Sequence, residues 1–349
     1  MKKKKILICS AQIPFNYGGA EILVEELNKQ LNARGFQSEI VNIPFKWYPK
    51  DRLIDEAFIW NLVDVTESNG EKVDLVICTK YPTYAVQHPN KVVWLFHQHR
   101  PAYDLLGTHY SEFTRSGDDI RIINHIRDID SKYLNQAKSI FCISNNVKNR
   151  LEKYNNIQSE VLYPPTKMDG LYKNNNSEKY IFSAGRLDPL KRVELLLEGM
   201  KYIDSDYKLL IAGKGKHEIV LRDIVAKENL EERVEFLGFV DDEKLIDYYS
   251  KASAIYFAPR DEDYGFITIE AFKSGKPVVT TNDSGGVLEF VKHGQNGLVL
   301  EPDSSIIGKE INNLLHDDKK LQEFGSKGFE EVKNINWDYV INQLTETLD

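Results

Sequence analysis

The chain has 349 residues, 42% hydrophobic and 28% charged, with a net charge of −8. At roughly 150 residues per domain this length accommodates two, and the composition is that of an ordinary globular protein. The acidic balance argues against a general nucleic-acid binder, although a few cations and helix N-termini can still hold an anion locally.

Cys9, Cys78 and Cys142 each lie inside an apolar run, which reads as buried reduced thiols in a cytoplasmic protein rather than a disulfide framework. The opening MKKKKILICSAQIP has the basic end of a signal peptide, but its apolar part is too short to be one. No run approaches the ~18 apolar residues of a spanning helix.

Apolar runs alternate with amphipathic segments along the chain, the pattern of an α/β protein with parallel sheets covered by helices on both faces. In the first half, strands are expected at 6–10, 39–43, 74–79, 92–97, 139–144 and 161–163. The first leads through Gly18 and Gly19 into a helix. Two glycines there let a backbone approach an anionic ligand, or simply make a tight turn. The spacing is not GxGxxG, so the dinucleotide fingerprint is missing. Residues 97–119, HQHRPAYDLLGTHYSEFTRSGDD, form a connection longer than structureless loops normally are. Its histidines, arginines and aromatics suit the wall of a binding site. His97, closing an apolar strand, also reads as an ordinary structural histidine.

The polar stretch KNNNSE at 173–178 is the expected linker between a first domain, 1–172, and a second, 179–330. Strands follow at 180–184, 208–212, 234–237, 254–258, 277–281 and 298–300, with helices at 216–230 and 242–252 and a helical tail over 304–348. In such sheets ligands bind beyond the C-terminal strand ends. The loop SAGRLDPLKR then draws notice. Asp188 is a good N-cap and Pro189 fits the first helical position, so a helix is expected to start there. Arg186 is left at the strand end and Lys191 falls in the first helical turn, where the dipole disfavours a cation. A diphosphate would accept both. Gly213-Lys214-Gly215 is turn-like, and Ser284-Gly285-Gly286 is expected to open another helix.

The segment RDEDYGFITIEAF places Glu262 in a loop and Glu270 inside the following helix. Eight helical residues span about 12 Å. The two carboxylates are therefore too far apart to share one proton or metal ion. They can hold different ends of an extended ligand, with the helix start Gly265, Phe266, Ile267 and Thr268 between them. A nucleoside diphosphate sugar has that shape.

Taken together, Gly18-Gly19-Ala20-Glu21, Gly185-Arg186-Leu187-Asp188-Pro189-Leu190-Lys191-Arg192, the E-x7-E pair and Ser284-Gly285-Gly286 with Glu289 resemble the family-4 retaining glycosyltransferases of the GT-B fold, nearly end to end. The resemblance implies two Rossmann-like doubly wound domains facing a cleft, with the last helix, within 331–349, returning to the first. It implies transfer of a sugar from a UDP- or GDP-linked donor to a saccharide or lipid-linked saccharide acceptor in surface polysaccharide or glycoconjugate synthesis. It also implies retention of configuration, with no metal and no separate cofactor. Glu262 would then contact the donor sugar, Glu270 the ribose, and Arg186 with Lys191 the diphosphate, while Gly18-Gly19 closes over the phosphate and His97 lies near the reacting sugar. The basic stretch FHQHRPAYDLLGT departs from a simple histidine turn. It leaves His97 and His99 competing for the catalytic position, and places His99, Arg100 and Tyr103 on the acceptor side.

Three other readings stand beside this one. Asp261-Glu262-Asp263 fits a metal-holding D-x-D pattern; a sugar-nucleotide epimerase would bind the same donor; and a non-catalytic subunit could bind it without turnover. Residues 2–5 and 44–50 are basic or aromatic enough for peripheral contact with an anionic membrane.

Overall fold

A computed structural model describes residues 2–108, 110–114 and 116–348; His109 and Arg115 of the 97–119 connection lie outside the described residues. The chain forms two compact units, Met1–Lys167 with Asn336–Asp349, and Met168–Ile335.

The first unit opens with β1 (Lys5–Gln12), α1 (Gly19–Ala33), β2 (Gln37–Pro44) and α2 (Arg52–Leu62), then a two-residue hairpin, β3 (Glu67–Ser68) and β4 (Glu71–Lys72). It continues through β5 (Leu75–Lys80), β6 (Lys91–His97), α3 (Gly117–Leu134), β7 (Ser139–Cys142), α4 (Asn145–Asn155) and β8 (Glu160–Val161). The sheet order is β2-β1-β5-β6-β7-β8, with parallel pairings. Every residue of β5 is buried, as expected for a strand covered on both faces. Cys9, Cys78 and Cys142 are free and buried in this sheet. The last helix, α11 (Trp337–Thr345), belongs to the same unit. Trp337 packs edge-on against Trp94 of β6, and Arg34 Nε donates to Asp338 Oδ1 at 3.0 Å.

The second unit runs β9 (Tyr180–Ala184), α5 (Val193–Gly199), β10 (Lys208–Ala212), α6 (Glu218–Lys227), β11 (Val234–Gly238), α7 (Asp242–Lys251), β12 (Ala254–Tyr256), α8 (Phe266–Lys273), β13 (Val278–Thr281), β14 (Gly297–Leu300), α9 (Ser304–Leu315) and α10 (Asp318–Val332). Its parallel sheet has the order β11-β10-β9-β12-β13-β14. The polar stretch 173–178 is hydrogen-bonded within this unit: the Asn175 N–H donates to the Ser250 carbonyl at 3.0 Å and the Glu178 N–H to that of Lys251 at 2.7 Å. On one face of this sheet Ile181, Leu209, Ile211, Val279 and Leu298 pack in a single core cluster with the helix residues Leu196, Leu221 and Ile311.

Strand order reverses at β9, which pairs with β10 on one side and β12 on the other. A crevice forms beyond the C-terminal ends of strands at such a switch point, because the connecting helices leave on opposite faces. The loops after β9, β12 and β13 meet there.

Candidate functional site

The loops after β9 and β10 lie against each other because both begin with glycine. Gly185 has φ 124° and Gly213 φ 131°, a region L side chains rarely occupy. A Cβ on Gly213 would stand 1.8 Å from the Gly185 carbonyl oxygen. The close approach is fixed by backbone bonds from the Gly185 N–H to Ala212 O (2.9 Å) and from the Leu187 N–H to Lys214 O (3.0 Å).

Beyond this turn Arg186 is exposed. Asp188 accepts from the Leu190 N–H at 3.0 Å, but what it caps is a 3-10 turn, Pro189–Lys191, and not the first turn of an α-helix. Arg192 breaks the path with φ 50°, and α5 starts only at Val193. The cause is the Arg192 side chain. Its guanidinium makes five hydrogen bonds: to the carbonyls of Ala258 and Pro259 (both 2.9 Å), to Thr281 Oγ1 (2.7 Å) and to the two Asp283 carboxylate oxygens (2.6 and 2.8 Å). Bonds of this charge-assisted kind outweigh the 1–2 kcal/mol or so of a left-handed residue. Lys191 consequently lies in the loop rather than in a helical first turn, and its ammonium group bonds Glu262 Oε2.

Glu262 is held by its backbone as well as by Lys191. The neighbouring amides of Asp261 and Glu262 donate to Asp283 O (2.8 Å) and Ser284 O (3.2 Å), and the Gly286 N–H returns to Glu262 O at 2.7 Å. A Cβ on Gly285, at φ 63°, would sit 2.6 Å from the Glu262 carbonyl oxygen. These sideways bonds explain why Ser284-Gly285-Gly286 does not open the expected α-helix. Only a four-residue 3-10 turn, Gly286–Glu289, follows. Ser284 Oγ lies 2.8 Å from Thr280 Oγ1 and 2.9 Å from Thr281 Oγ1, which ties the loop to the end of β13.

Helix α8 begins at Phe266 after Gly265, whose φ is 89°, and no side chain caps it. The first N–H groups of such a helix carry the positive end of its dipole. Thr268, in the same turn, is buried and its Oγ1 has no hydrogen-bond partner among the described residues. Ile267 faces the β9 end: a Cβ on Gly185 would be 3.0 Å from its Cδ1. Glu270, partly exposed, accepts the Tyr249 hydroxyl on Oε2 at 2.7 Å. Burial pushes its carboxyl up to about 7, against the lowering effect of the Tyr249 bond. Thus Gly185, Lys191, Glu262, Gly265 and Ile267 come together around the switch point, with Glu270 one turn into α8.

In the first unit, Gly18 and Gly19 start α1, and the Gly18 N–H is taken by Glu21 Oε2 at 3.0 Å, while Lys80 holds the other Glu21 oxygen at 2.8 Å. His97 ends β6. Its Nδ1 lies 2.9 Å from the Gln98 carbonyl oxygen, which can only accept, so in the neutral ring Nδ1 carries the proton and Nε2 the lone pair. Other described residues of the 97–119 connection are held by hydrogen bonds within it and to α3. His99 Nε2 meets Glu112 Oε1 at 2.7 Å, Arg100 Nε donates to Asp104 Oδ2 at 2.9 Å, and Tyr103 is 2% exposed with its hydroxyl on Asp130 Oδ2 at 2.7 Å. Asp130 also receives the Tyr84 hydroxyl (2.6 Å) and the Gln98 amide (3.1 Å), and burial raises its carboxyl to about 6.

Sequence reasoning gave no role to two residues of the second site. Arg192 stood beside Lys191 as a third cation in one short loop, and that excess was the available signal. Tyr249 carried none, because its meeting with Glu270 depends on how α7 and α8 pack.

Residues 168–331 match the family described as Glycosyl transferases group 1. That match takes in nearly the whole of the second unit. An uncharacterized glycosyltransferase of Methanocaldococcus jannaschii is 28% identical to the chain over 203 residues, 58% of this chain and 56% of its own length. The N-acetyl-alpha-D-glucosaminyl L-malate synthase of Bacillus anthracis is 23% identical over 95% of this chain and 92% of its own. With the first of these, and with a second uncharacterized Methanocaldococcus glycosyltransferase aligned over 33% of its length, this chain spans about half of the relative or less. Among solved structures, sucrose-phosphate synthase from Thermosynechococcus elongatus superposes with a TM-score of 0.78 over 97% of both chains at 19% identity. Anabaena HepE in complex with UDP and glucose does so at 0.71 over 98% of both, at 17%. The fold is therefore that of the GT-B glycosyltransferases. The two-cation loop and the Glu262–Glu270 helix start both lie inside the group 1 match. Gly18, Gly19, His97, His99, Arg100 and Tyr103 lie outside it.

Proposed function

We propose that this protein is a retaining glycosyltransferase that moves a sugar from a nucleoside diphosphate donor to a saccharide or lipid-linked saccharide acceptor. The observation that carries the reading is the Lys191–Glu262 pair at the uncapped start of α8, within the group 1 match. As the glycosidic bond breaks, negative charge accumulates on the departing nucleoside diphosphate. Arg186, Lys191 and the first N–H groups of α8, at Phe266, Ile267 and Thr268, stabilise that charge, and such preorganised electrostatics is usually the largest catalytic contribution. These groups do the work without a metal ion. The departing phosphate takes the proton from the acceptor hydroxyl on the face it has left, so configuration is retained.

In this scheme Glu262 accepts hydroxyls of the donor sugar, Glu270 accepts the ribose hydroxyls, Gly18-Gly19 closes on the phosphate, and His97 presents Nε2 toward the reacting sugar. Titration of UDP, GDP and their sugar conjugates followed by thermal shift tests the donor. A ligand at 100 times its dissociation constant adds about 2.7 kcal/mol. Absence of any shift with the whole set would refute the donor reading. The relatives' roles in making lipid-linked, O-antigen and exopolysaccharide products support a place in glycoconjugate synthesis. Proton NMR of the new linkage tests retention, and transfer in excess chelator tests metal independence.

A further inference from the structure

We propose that the cavity of about 480 Å³ lined by Trp47, Tyr48, Lys50, Glu112 and Ile122 in the first unit is a binding site for a pyranose ring. Its volume is in the range of small-ligand pockets, about 300–1,000 Å³.

The two sides of the cavity come from distant stretches of chain, the connection from β2 to α2 on one side and, on the other, Glu112 in the segment before α3 with Ile122 of α3 itself. They are joined from beneath. Lys50 Nζ lies 2.9 and 3.0 Å from the two oxygens of Asp119, which also accepts both the amide and the hydroxyl of Thr114 at 2.6 Å. These bonds, with that of the Thr114 hydroxyl foremost, hold the Asp119 carboxyl down to about 2. Asp119 therefore stays ionised across neutral pH, and the wall is formed before any ligand arrives. On the near side the Lys46 N–H donates to Glu56 Oε1 at 3.2 Å, and the Phe45 N–H to Gln12 O at 2.8 Å.

The lining has two kinds of surface. Trp47 and Tyr48 meet edge to face with centroids 5.2 Å apart, and Tyr48 is 57% exposed. An aromatic surface left half in water costs free energy that a ligand can recover. Beside it stands Glu112, an acceptor whose Oε1 is bonded to His99 Nε2 at 2.7 Å. A pyranose offers an apolar face of C–H bonds and a rim of hydroxyl donors. Its face fits the aromatic pair and its rim fits the carboxylate, with the Tyr48 hydroxyl a further partner. A lipid chain would find charged groups at the cavity with no use for them.

The cavity is built of first-unit residues only and shares none with the donor site of the second. Resting on the proposed transferase reading, it is where the acceptor saccharide is held. The His99–Glu112 bond then links that sugar to the segment that follows His97.

Saturation-transfer NMR on the full chain, using methyl glycosides of glucose, galactose, mannose and N-acetylglucosamine, tests the proposal. At least one glycoside is expected to bind. Trp47→Ala is expected to weaken it 10-fold or more, and Glu112→Gln by about 10- to 100-fold, the worth of one hydrogen bond to a charged group. Tyr48→Ala, at an exposed position, is a second aromatic variant should Trp47→Ala misfold. Failure of all four glycosides to bind, or binding unchanged in these variants, overturns the proposal. UDP and GDP are titrated separately on the wild type. Glycoside binding without nucleotide binding keeps the pocket and removes the donor reading; nucleotide binding without glycoside binding does the reverse.

Discussion

Tyr249 donates its hydroxyl to Glu270 Oε2 at 2.7 Å, in a setting whose burial raises the Glu270 carboxyl from 4.5 to about 7. The neutral acid is thus favoured in the folded, empty protein, and the free energy of that preference follows the pH. Because the folded value is the higher one, the contribution to stability is fully present below pH 4.5 and is lost as pH rises through 7. At 1.36 kcal/mol per unit the loss is at most about 3 kcal/mol. Glu270→Gln, neutral at every pH, is expected to remove that slope. Denaturant unfolding of both proteins at pH 4.5 and pH 8 measures it, and equal slopes would disprove the assignment. Tyr249→Phe removes a hydrogen bond to the Glu270 carboxyl and should cost about 1–3 kcal/mol, more at pH 8 than at pH 4.5.

Arg192 gives a prediction in which the smaller residue wins. Its five hydrogen bonds lock the loops after β12 and β13, so truncation loses them all. Lysine cannot replace the planar fork, and Arg192→Lys is expected to cost about 2 kcal/mol or more. Yet the backbone stands at φ 50°, which alanine tolerates worse than glycine. Arg192→Gly should therefore be more stable than Arg192→Ala by about 1 kcal/mol. Thermal unfolding of the three variants checks the order, and alanine above glycine would contradict the conformational argument.

Gly213→Ala tests the contact between the loops after β9 and β10. The added methyl would need the place of the Gly185 carbonyl, 1.8 Å away, at a φ of 131°. Neither backbone can yield without breaking the bonds between Gly185 and Ala212 and between Leu187 and Lys214. A loss of about 3 kcal/mol or more is expected, at the high end for a single substitution. A variant of wild-type melting temperature would show that the loops are not packed this closely.

These positions also show how far the residues could be read in advance. The strands 180–184 and 208–212 were legible to the residue, because a strand buried on both faces is an unbroken apolar run between polar turns. That Lys191 and Glu262 stand at the same sheet end was legible from their positions after strands, but the bond between them was not. What the local pattern misled on was the path between them. Asp188-Pro189 is a sound helix start, and Asp188 does cap, but the partners that stop the helix at Arg192 are 66 to 91 residues away. Likewise Ser284-Gly285-Gly286 spends its backbone on Glu262 rather than on a helix. Long-range hydrogen bonds override local propensity here, and one chain segment does not contain them.

The Lys191–Glu262 bond leads to the last prediction. In the empty protein the ammonium group that should meet the diphosphate is already occupied by the carboxylate that should meet the sugar. The side chains are 20% and 27% exposed, so the attraction is only partly screened. A free nucleoside diphosphate has no sugar to engage Glu262, and must draw Lys191 away from it. Glu262→Gln removes that competition, and should leave affinity for the free nucleotide unchanged or raise it by up to about 10-fold, the equivalent of 1.4 kcal/mol. Transfer should nevertheless fall, because a carboxylate beside a sugar that is gaining positive charge acts mainly in the transition state. Glu270→Ala should do the opposite to binding. It removes the ribose contact and should weaken the free nucleotide by about 10- to 100-fold. Calorimetric titration of both variants with the nucleotide alone, beside transfer rates with the full donor, separates the roles. If both lose nucleotide affinity equally, Glu262 and Glu270 grip the same part of the donor and the division between sugar and ribose fails.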